Sequence, residues 1–422
     1  MSAELPSYEE AAAVVARYAA RLEHRVPAVE RVPLALAGGR VMAQELAADQ
    51  DQPPFTRSTR DGFACRASEA SAHAWLSLAG SIRAGEALPK SLAPGAALEI
   101  MTGAPVPEGA DCVAMLEHVE RTPGHVRLTP PRTMAAGHNL VRQGAQARKG
   151  DVLLGPGVRV GFEQIALAAS CGAAILDVYV KPRVAILTTG DEIVPMDAEP
   201  RPGQIRNSNG PMLAALVAAA GGEPRMLPAT ADDAAALDAV LALAAEADLL
   251  VISGGVSAGK FDLVEPALLR AGANLHFTGV RIQPGKPLVF GDLPKGSEHP
   301  EQRLPFFGLP GNPISSAVTF LLFAAPVLSA LAGSGEPSPQ FALAQMGPKV
   351  ERHPKAGLTR FLPAACTFTP GSGQMPEVEF VPWHGSGDLA ALARSNCFLV
   401  VPEKADPLEP GVIVRILLSG GA

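Results

Sequence analysis

The stretch Val184-Ala185-Ile186-Leu187-Thr188-Thr189-Gly190-Asp191-Glu192 decides the fold. Four apolar residues run unbroken, then hydroxyls, a glycine and two acids follow. An unbroken apolar run suits a strand buried on both faces of a sheet. Leu249-Leu250-Val251-Ile252 repeats the pattern and also ends in a small polar loop, Ser253-Gly254-Gly255-Val256-Ser257-Ala258-Gly259. Helical text fills 211–220 and 231–245. Strands alternating with helices imply a mostly parallel α/β sheet, which binds ligands beyond the carboxyl ends of its strands. The loops at those ends are where chemistry is expected.

Two later loops have the same chemical character, Gln283-Pro284-Gly285-Lys286-Pro287 and Gly308-Leu309-Pro310-Gly311-Asn312-Pro313-Ile314-Ser315. Glycine lets backbone N–H groups approach a ligand, and helix N-termini favour anions. Asn312 as cap with Pro313 at the first helical position fits a helix start. Lys286, held between prolines, is a poorly mobile cation suited to an oxyanion. Asp191 and Glu192 could hold Mg²⁺ bridging to phosphate. Each loop alone is ordinary turn chemistry, and Asp191-Glu192 could simply cap a turn. Thr230 with Asp233 forms a capping-box pattern, which leaves the adjacent Asp232 open. Four anion-friendly loops in one segment are harder to dismiss. Gly254 to Lys260 spells GxxxxGK, so a P-loop-like nucleotide-binding ATPase is an alternative. Phe261 stands where that motif needs a hydroxyl for Mg²⁺.

The other segments read differently. Ser7 and Glu10 make a capping box before a helix to about Leu22, and a second helical segment is expected to end near Ala48. Short apolar runs with frequent Gly and Pro follow to about Gly144, as in a β-rich module. A helix is expected over about 161–170, and the tail from about Ser334 reads as a small β domain. The 422 residues imply two to four domains. Net charge is −7 with no basic block, so a nucleic-acid surface is not expected. The start has no signal-peptide pattern, and Pro, Gly or a charge breaks each apolar run short of about 18 residues. A cytoplasmic protein without a membrane span is therefore expected. Five scattered cysteines show no CxxC pair, which suggests neither a zinc site nor a disulfide frame.

Arg57-Ser58-Thr59-Arg60-Asp61-Gly62-Phe63-Ala64 resembles the RSAMDGYA loop of the molybdopterin molybdenumtransferase (MoeA/gephyrin) family. Residues 99–111, EIMTGAPVPEGAD, match another of its segments almost letter for letter. TTGDE, GQIRNSN (203–209), SGGVS, QPGKP and GLPGNPIS follow in the family's order, and 385–396 resembles its terminal GSG segment. The resemblance runs from about residue 5 to residue 402.

The resemblance implies an elongated four-domain chain: domain I from 1–49 plus 145–181, a β-rich domain II from 50–144, a molybdopterin-binding-type α/β domain III from 182–331, and a small β-barrel domain IV from 332–422. It implies a homodimer whose cleft lies between domain III and the partner's domain II. The implied reaction takes adenylylated molybdopterin and molybdate, assisted by Mg²⁺, to molybdenum cofactor and AMP. A molybdopterin adenylyltransferase would supply the substrate, and downstream cofactor-processing proteins would receive the product. Thr189, Gly190, Asp191, Gly254, Gly255, Val256 and Ser257 would cradle the phosphate or adenylate. Lys286, Pro310, Asn312 and Ser315, with Ser386 from the tail, would hold the oxyanion. Glu192 and Asp262 would hold the metal, with Asp232 a further acid. Asp61 and Thr102 would come from the partner.

Several departures cluster on charge. Arg60 stands for Met, Gln146 for the acid of GED, Lys260 for an acid and Asn207 for Asp. The family's GRxEFxR reads Gly357-Leu358-Thr359-Arg360-Phe361-Leu362-Pro363, so both arginines leave their places, and Arg360 could partly substitute. Compensation among new charges is one explanation. A paralogue that binds molybdopterin or nucleotide without efficient metal insertion is the other.

Overall fold

A computed structural model of the chain describes residues 5–22, 27–87, 91–228, 234–255, 263–295, 302–336, 338–348, 357–368, 373, 375–403 and 408–419. Val256, Ser257, Asp232, Asp262 and Lys260, like Thr230 and Asp233, lie outside them.

The decisive stretch forms the strand Arg183–Thr188. It pairs in parallel with Glu223–Met226 on one side and Leu249–Ser253 on the other. Leu249–Ser253 pairs in parallel with Arg303–Leu309, and the antiparallel strands Val289–Pro294 and Asn274–Thr278 complete six. The chain leaves its first strand toward one neighbour and returns to the other side, so a topological switch point falls between Arg183–Thr188 and Leu249–Ser253. Ligands of open α/β sheets bind in the crevice outside that point.

The helix Pro313–Leu331 is long and apolar enough to cross a membrane, but 72% of its apolar span is buried inside the fold as a core helix. It widens into π geometry over Phe320–Ala324. Pro326 follows and has no N–H for the carbonyl a turn earlier, so the ladder locally slips to a wider turn.

The first helix, Tyr8–Leu22, begins as its sequence requires. Glu10 N–H donates to Ser7 Oγ (3.2 Å), and Ser7 N–H donates to the Glu10 carboxylate (2.7 Å). Its apolar stripe, Tyr8, Ala11, Val15, Ala19 and Leu22, joins the α/β core beside Val327 and Leu328. The Tyr8 ring meets Phe323 at 6.1 Å and Phe361 of the tail at 5.3 Å. Helix, sheet and tail therefore share one hydrophobic core. The expected second helix ending near Ala48 does not form. Val29–Pro33 is a strand paired with Ile175–Tyr179, and Leu46–Ala47 pairs with Val152–Leu154. Pro33 and the pair Gly38-Gly39 interrupt any helix there, and strand partners from 152–179 compete for the backbone. The helix Phe162–Ser170 forms as expected.

Residues 62–128 build a six-stranded sheet. Gly62 lies between Ala96–Ile100 and Cys112–Met115. Cys65 and Cys112, 47 positions apart, are directly paired there with sulfurs 3.7 Å apart as buried free thiols. The Cys112 thiol is pushed well up by its bond with Cys65 and by burial. Spacing in sequence could not show this pair. In the tail, the strands Phe341–Met346, Thr359–Thr367, Glu377–Phe380, Cys397–Val401 and Ile413–Leu418 close on themselves as a five-stranded barrel, with Ile282–Gln283 attached at its edge.

Candidate active site at the switch point

The loops leaving Arg183–Thr188 and Leu249–Ser253 are bound to each other. Thr189 N–H donates to Ser253 O (3.0 Å), and Gly254 N–H donates to Leu309 O (3.1 Å). Gly254 has φ +97°, and a Cβ there would lie 2.5 Å from Thr189 O. Only glycine fits such a close backbone approach. A Cβ on Gly311 would come 3.6 Å from the Gly254 Cα, so the third loop meets the second.

Asn209 bolts these loops together. Its Nδ2 donates to Ser253 Oγ (2.8 Å) and to Gly311 O (2.6 Å). The carbonyl acceptor fixes which amide atom is nitrogen. Asn209 Oδ1 and Thr189 Oγ1 are then left buried without a hydrogen-bond partner among the described residues. Buried polar atoms are nearly always satisfied, so the two orphans leave this crevice open to hydrogen bonds from a polar ligand or water. Neither the clamp nor the orphans are legible in the sequence, beyond the presence of Asn209 in the segment GQIRNSN. Asn207, one of the departures, does structural work: it accepts from Gly210 N–H (2.9 Å) and donates to Thr188 Oγ1 (2.9 Å). An amide makes both bonds.

Glu192 is exposed and folds its carboxylate back over Gly190, where a Cβ would lie 2.7 Å from its oxygen. Asp191 is exposed beside it. Among the described residues no three His, Cys, Asp or Glu side chains converge as a ligand set. Glu192 still fits Mg²⁺ chemistry, because that ion takes one or two carboxylates and completes its shell with phosphate oxygens and water.

The next helix starts at Pro313 after Asn312, as its sequence suggests, but Asn312 makes no side-chain cap. Its Nδ2 instead donates to Ser386 Oγ (2.9 Å), while Ile314 N–H donates to Ser386 O (3.0 Å). The tail loop thus covers part of the helix start that was expected to face an anion freely. Competition between two acceptors, one 74 positions away, decides this. Ser315 is 4% exposed and Pro310 is buried. Lys286 is exposed, and its loop packs on the same helix, where a Cβ on Gly285 would lie 2.5 Å from Thr319 Cγ2. Thr319 Oγ1 donates to Ser315 O (2.8 Å), so the Gly285 contact and Ser315 lie one helical turn apart on this helix.

Asp61 and Thr102 meet each other instead. Thr102 N–H and Oγ1–H both donate to Asp61 Oδ1 (2.6 and 2.8 Å). Among the described residues, no hydrogen bond or ion pair joins them to the switch-point loops of the same chain. The two bonds hold the Asp61 carboxyl below its ordinary range, the backbone donor having the larger effect. A depressed carboxylate adds stability above its unfolded pKa, and that stability is lost as pH falls through the folded pKa. Thr102→Val should therefore move the Asp61 titration upward, toward an ordinary aspartate value of about 3.9. Carbon NMR of the carboxyl through an acid titration checks this, and an unmoved midpoint contradicts it. Arg60 and Gln146 are exposed.

A six-stranded α/β unit with its orphaned polar atoms at the switch point, joined to a β-rich module and a barrel, defines a multidomain α/β protein with a ligand crevice at the switch point. Family models agree segment by segment: the MoeA N-terminal region (domain I and II) over residues 6–172, a probable molybdopterin binding domain over 185–330, and the MoeA C-terminal region (domain IV) over 349–418. The molybdopterin molybdenumtransferase of a Nostoc species is 32% identical, covering 98% of this chain and 94% of its own. That of Bacillus subtilis is 34% identical over 90% of this chain and 87% of its own. The crystal structure of the molybdopterin biosynthesis MoeA protein from Pyrococcus horikoshii superposes with a TM-score of 0.78 at 28% identity, over 98% of this chain and all of that one. The chain belongs to the molybdopterin molybdenumtransferase (MoeA) family.

Proposed function

We propose that this protein inserts molybdenum into adenylylated molybdopterin, yielding molybdenum cofactor and AMP. The observation that carries the reading is the switch-point crevice, where Thr189 Oγ1 and Asn209 Oδ1 lack partners beside the close-packed Gly254 and Gly255. Backbone N–H groups of that loop, with Val256 and Ser257, hold the phosphate or adenylate. Lys286 supplies positive charge for molybdate. Ser315 lies on the helix that the Lys286 loop packs against, and Ser386 covers the start of that helix. Glu192, with Asp262 by resemblance, holds Mg²⁺, which would offset phosphoanhydride charge when bound. Asp232 remains a candidate acid. In the four-domain division, the helix Tyr8–Leu22 of the first domain docks on the α/β unit.

A homodimer completes the cleft in this reading, because Asp61 and Thr102 make no bond to the switch-point loops of their own chain among the described residues. The exposed apolar side chains on 29–36 and 152–180, Phe162 being 80% exposed, supply surface for a second copy. A cytoplasmic setting suits five free thiols, two of them 3.7 Å apart, which an oxidising compartment would tend to couple. The adenylyltransferase that supplies the substrate and the proteins that receive the cofactor are its functional neighbours.

The test is molybdate-dependent cleavage. Purified protein with adenylylated molybdopterin and Mg²⁺ should release AMP only when molybdate is added. Binding without AMP release, or release indifferent to molybdate, overturns the proposal.

A further inference from the structure

We infer that Arg360 of the barrel is a positioning residue for the oxyanion-binding loop, acting through Gln283 on Lys286. The inference rests on the proposed role of Lys286. Arg360 does not reach outward to replace the missing tail arginines. It is 4% exposed, and its Nε donates to Gln283 Oε1 (3.0 Å). A buried guanidinium is costly unless its donors are engaged, so this side chain is held in one place.

The grip on the loop has three parts. Ile282–Gln283 pairs in parallel with Thr359–Arg360 as an added edge of the barrel. Thr359 N–H donates to Arg281 O (3.1 Å), and Arg281 pairs with Glu403 of the tail at 3.7 Å. Arg360 then fixes the Gln283 side chain, three residues before Lys286. From the opposite side the loop rests on the core helix, where Gly285 approaches Thr319 too closely for any Cβ. Lys286 O accepts from Val280 N–H (3.0 Å) and Leu288 N–H (3.1 Å), so its backbone is held while its side chain stays exposed. Two walls from different parts of the chain thus set where the backbone carrying Lys286 stands. The tail domain, whose Ser386 loop already meets the start of the core helix, acquires a second role in oxyanion affinity. The inward turn of Arg360 also accounts for a positive charge at a position where the family pattern carries Glu.

The experiment measures AMP release while molybdate and adenylylated molybdopterin are varied separately. Arg360→Gln should raise the half-saturating molybdate concentration about tenfold, as the loss of a charge-assisted bond would. The value for adenylylated molybdopterin should stay within about twofold, because the switch-point loop is untouched. Arg360→Lys should recover only part of the loss, since an ammonium lacks the planar fork. If Arg360→Gln fails to fold, Gln283→Leu removes the acceptor and reads the same coupling. Equal changes for both substrates, or none, overturn the inference. Lys286→Ala in parallel separates the two ideas: a Lys286→Ala enzyme with unchanged molybdate dependence sinks the role of Lys286 itself, whereas a large effect there with none at Arg360 or Gln283 sinks only the positioning role.

Discussion

Lys286→Ala is expected to raise the molybdate requirement of AMP release by roughly 10- to 150-fold, the value of a charge-assisted contact worth about 1.5–3 kcal/mol. Gln283-Pro284-Gly285-Lys286-Pro287 has restricted backbone freedom at both prolines, and the carbonyl of Lys286 accepts two hydrogen bonds. Its side chain is exposed, and its ammonium has no ion pair or hydrogen bond among the described residues. A tetrahedral dianion beside the start of a buried helix gains from such a cation. The fold should not suffer, because little of Lys286 is packed. Equal thermal melting with a shifted molybdate curve is the expected pair of results. An unshifted curve would move oxyanion binding elsewhere.

The second large effect is structural. Gly62 sits in the middle of a sheet, and a Cβ there would lie 2.0 Å from Ala114 O and 2.9 Å from Ala114 C. Both obstacles are backbone in a paired strand, which cannot swing aside as a flexible side chain would. Gly62→Ala should cost more than about 4 kcal/mol, beyond the range of ordinary substitutions. The melting of the β-rich module should drop by at least roughly 16 °C. Gly38→Ala is the control, since a Cβ there meets nothing within 4 Å. If Gly62→Ala melts like the unsubstituted protein, the strands at Gly62 do not approach each other this closely. Asp61 immediately precedes Gly62, so the tight packing also sets where that carboxylate emerges.

Much of this is legible in the residues. The unbroken apolar runs at 184–187 and 249–252 form adjacent parallel strands because only a doubly covered sheet buries both faces of such runs. The Ser7–Glu10 box forms reciprocally because its bonds lie within one turn. What escapes depends on partners distant in sequence. Residues 29–47 contain helix-favouring alanines and leucines, yet strand partners from 152–179 claim them. Asn312 has the sequence of a local cap, but Ser386 O accepts the Ile314 N–H and Ser386 Oγ accepts from Asn312 Nδ2. The cysteine pair and the Arg360–Gln283 bond likewise join residues at least 47 positions apart. For the site, the loops are readable as anion-friendly, whereas the Asn209 clamp and the orphaned atoms require knowing which loops meet.

The most direct test of the central claim is reconstitution. The protein, with adenylylated molybdopterin, Mg²⁺ and molybdate, would be added to a purified molybdoenzyme stripped of its cofactor, and the recovered activity followed. The account predicts recovery that rises with the amount of this protein and vanishes without molybdate. Tight binding of adenylylated molybdopterin with no recovered activity would contradict it, and would mean that the cleft is kept while metal insertion is lost.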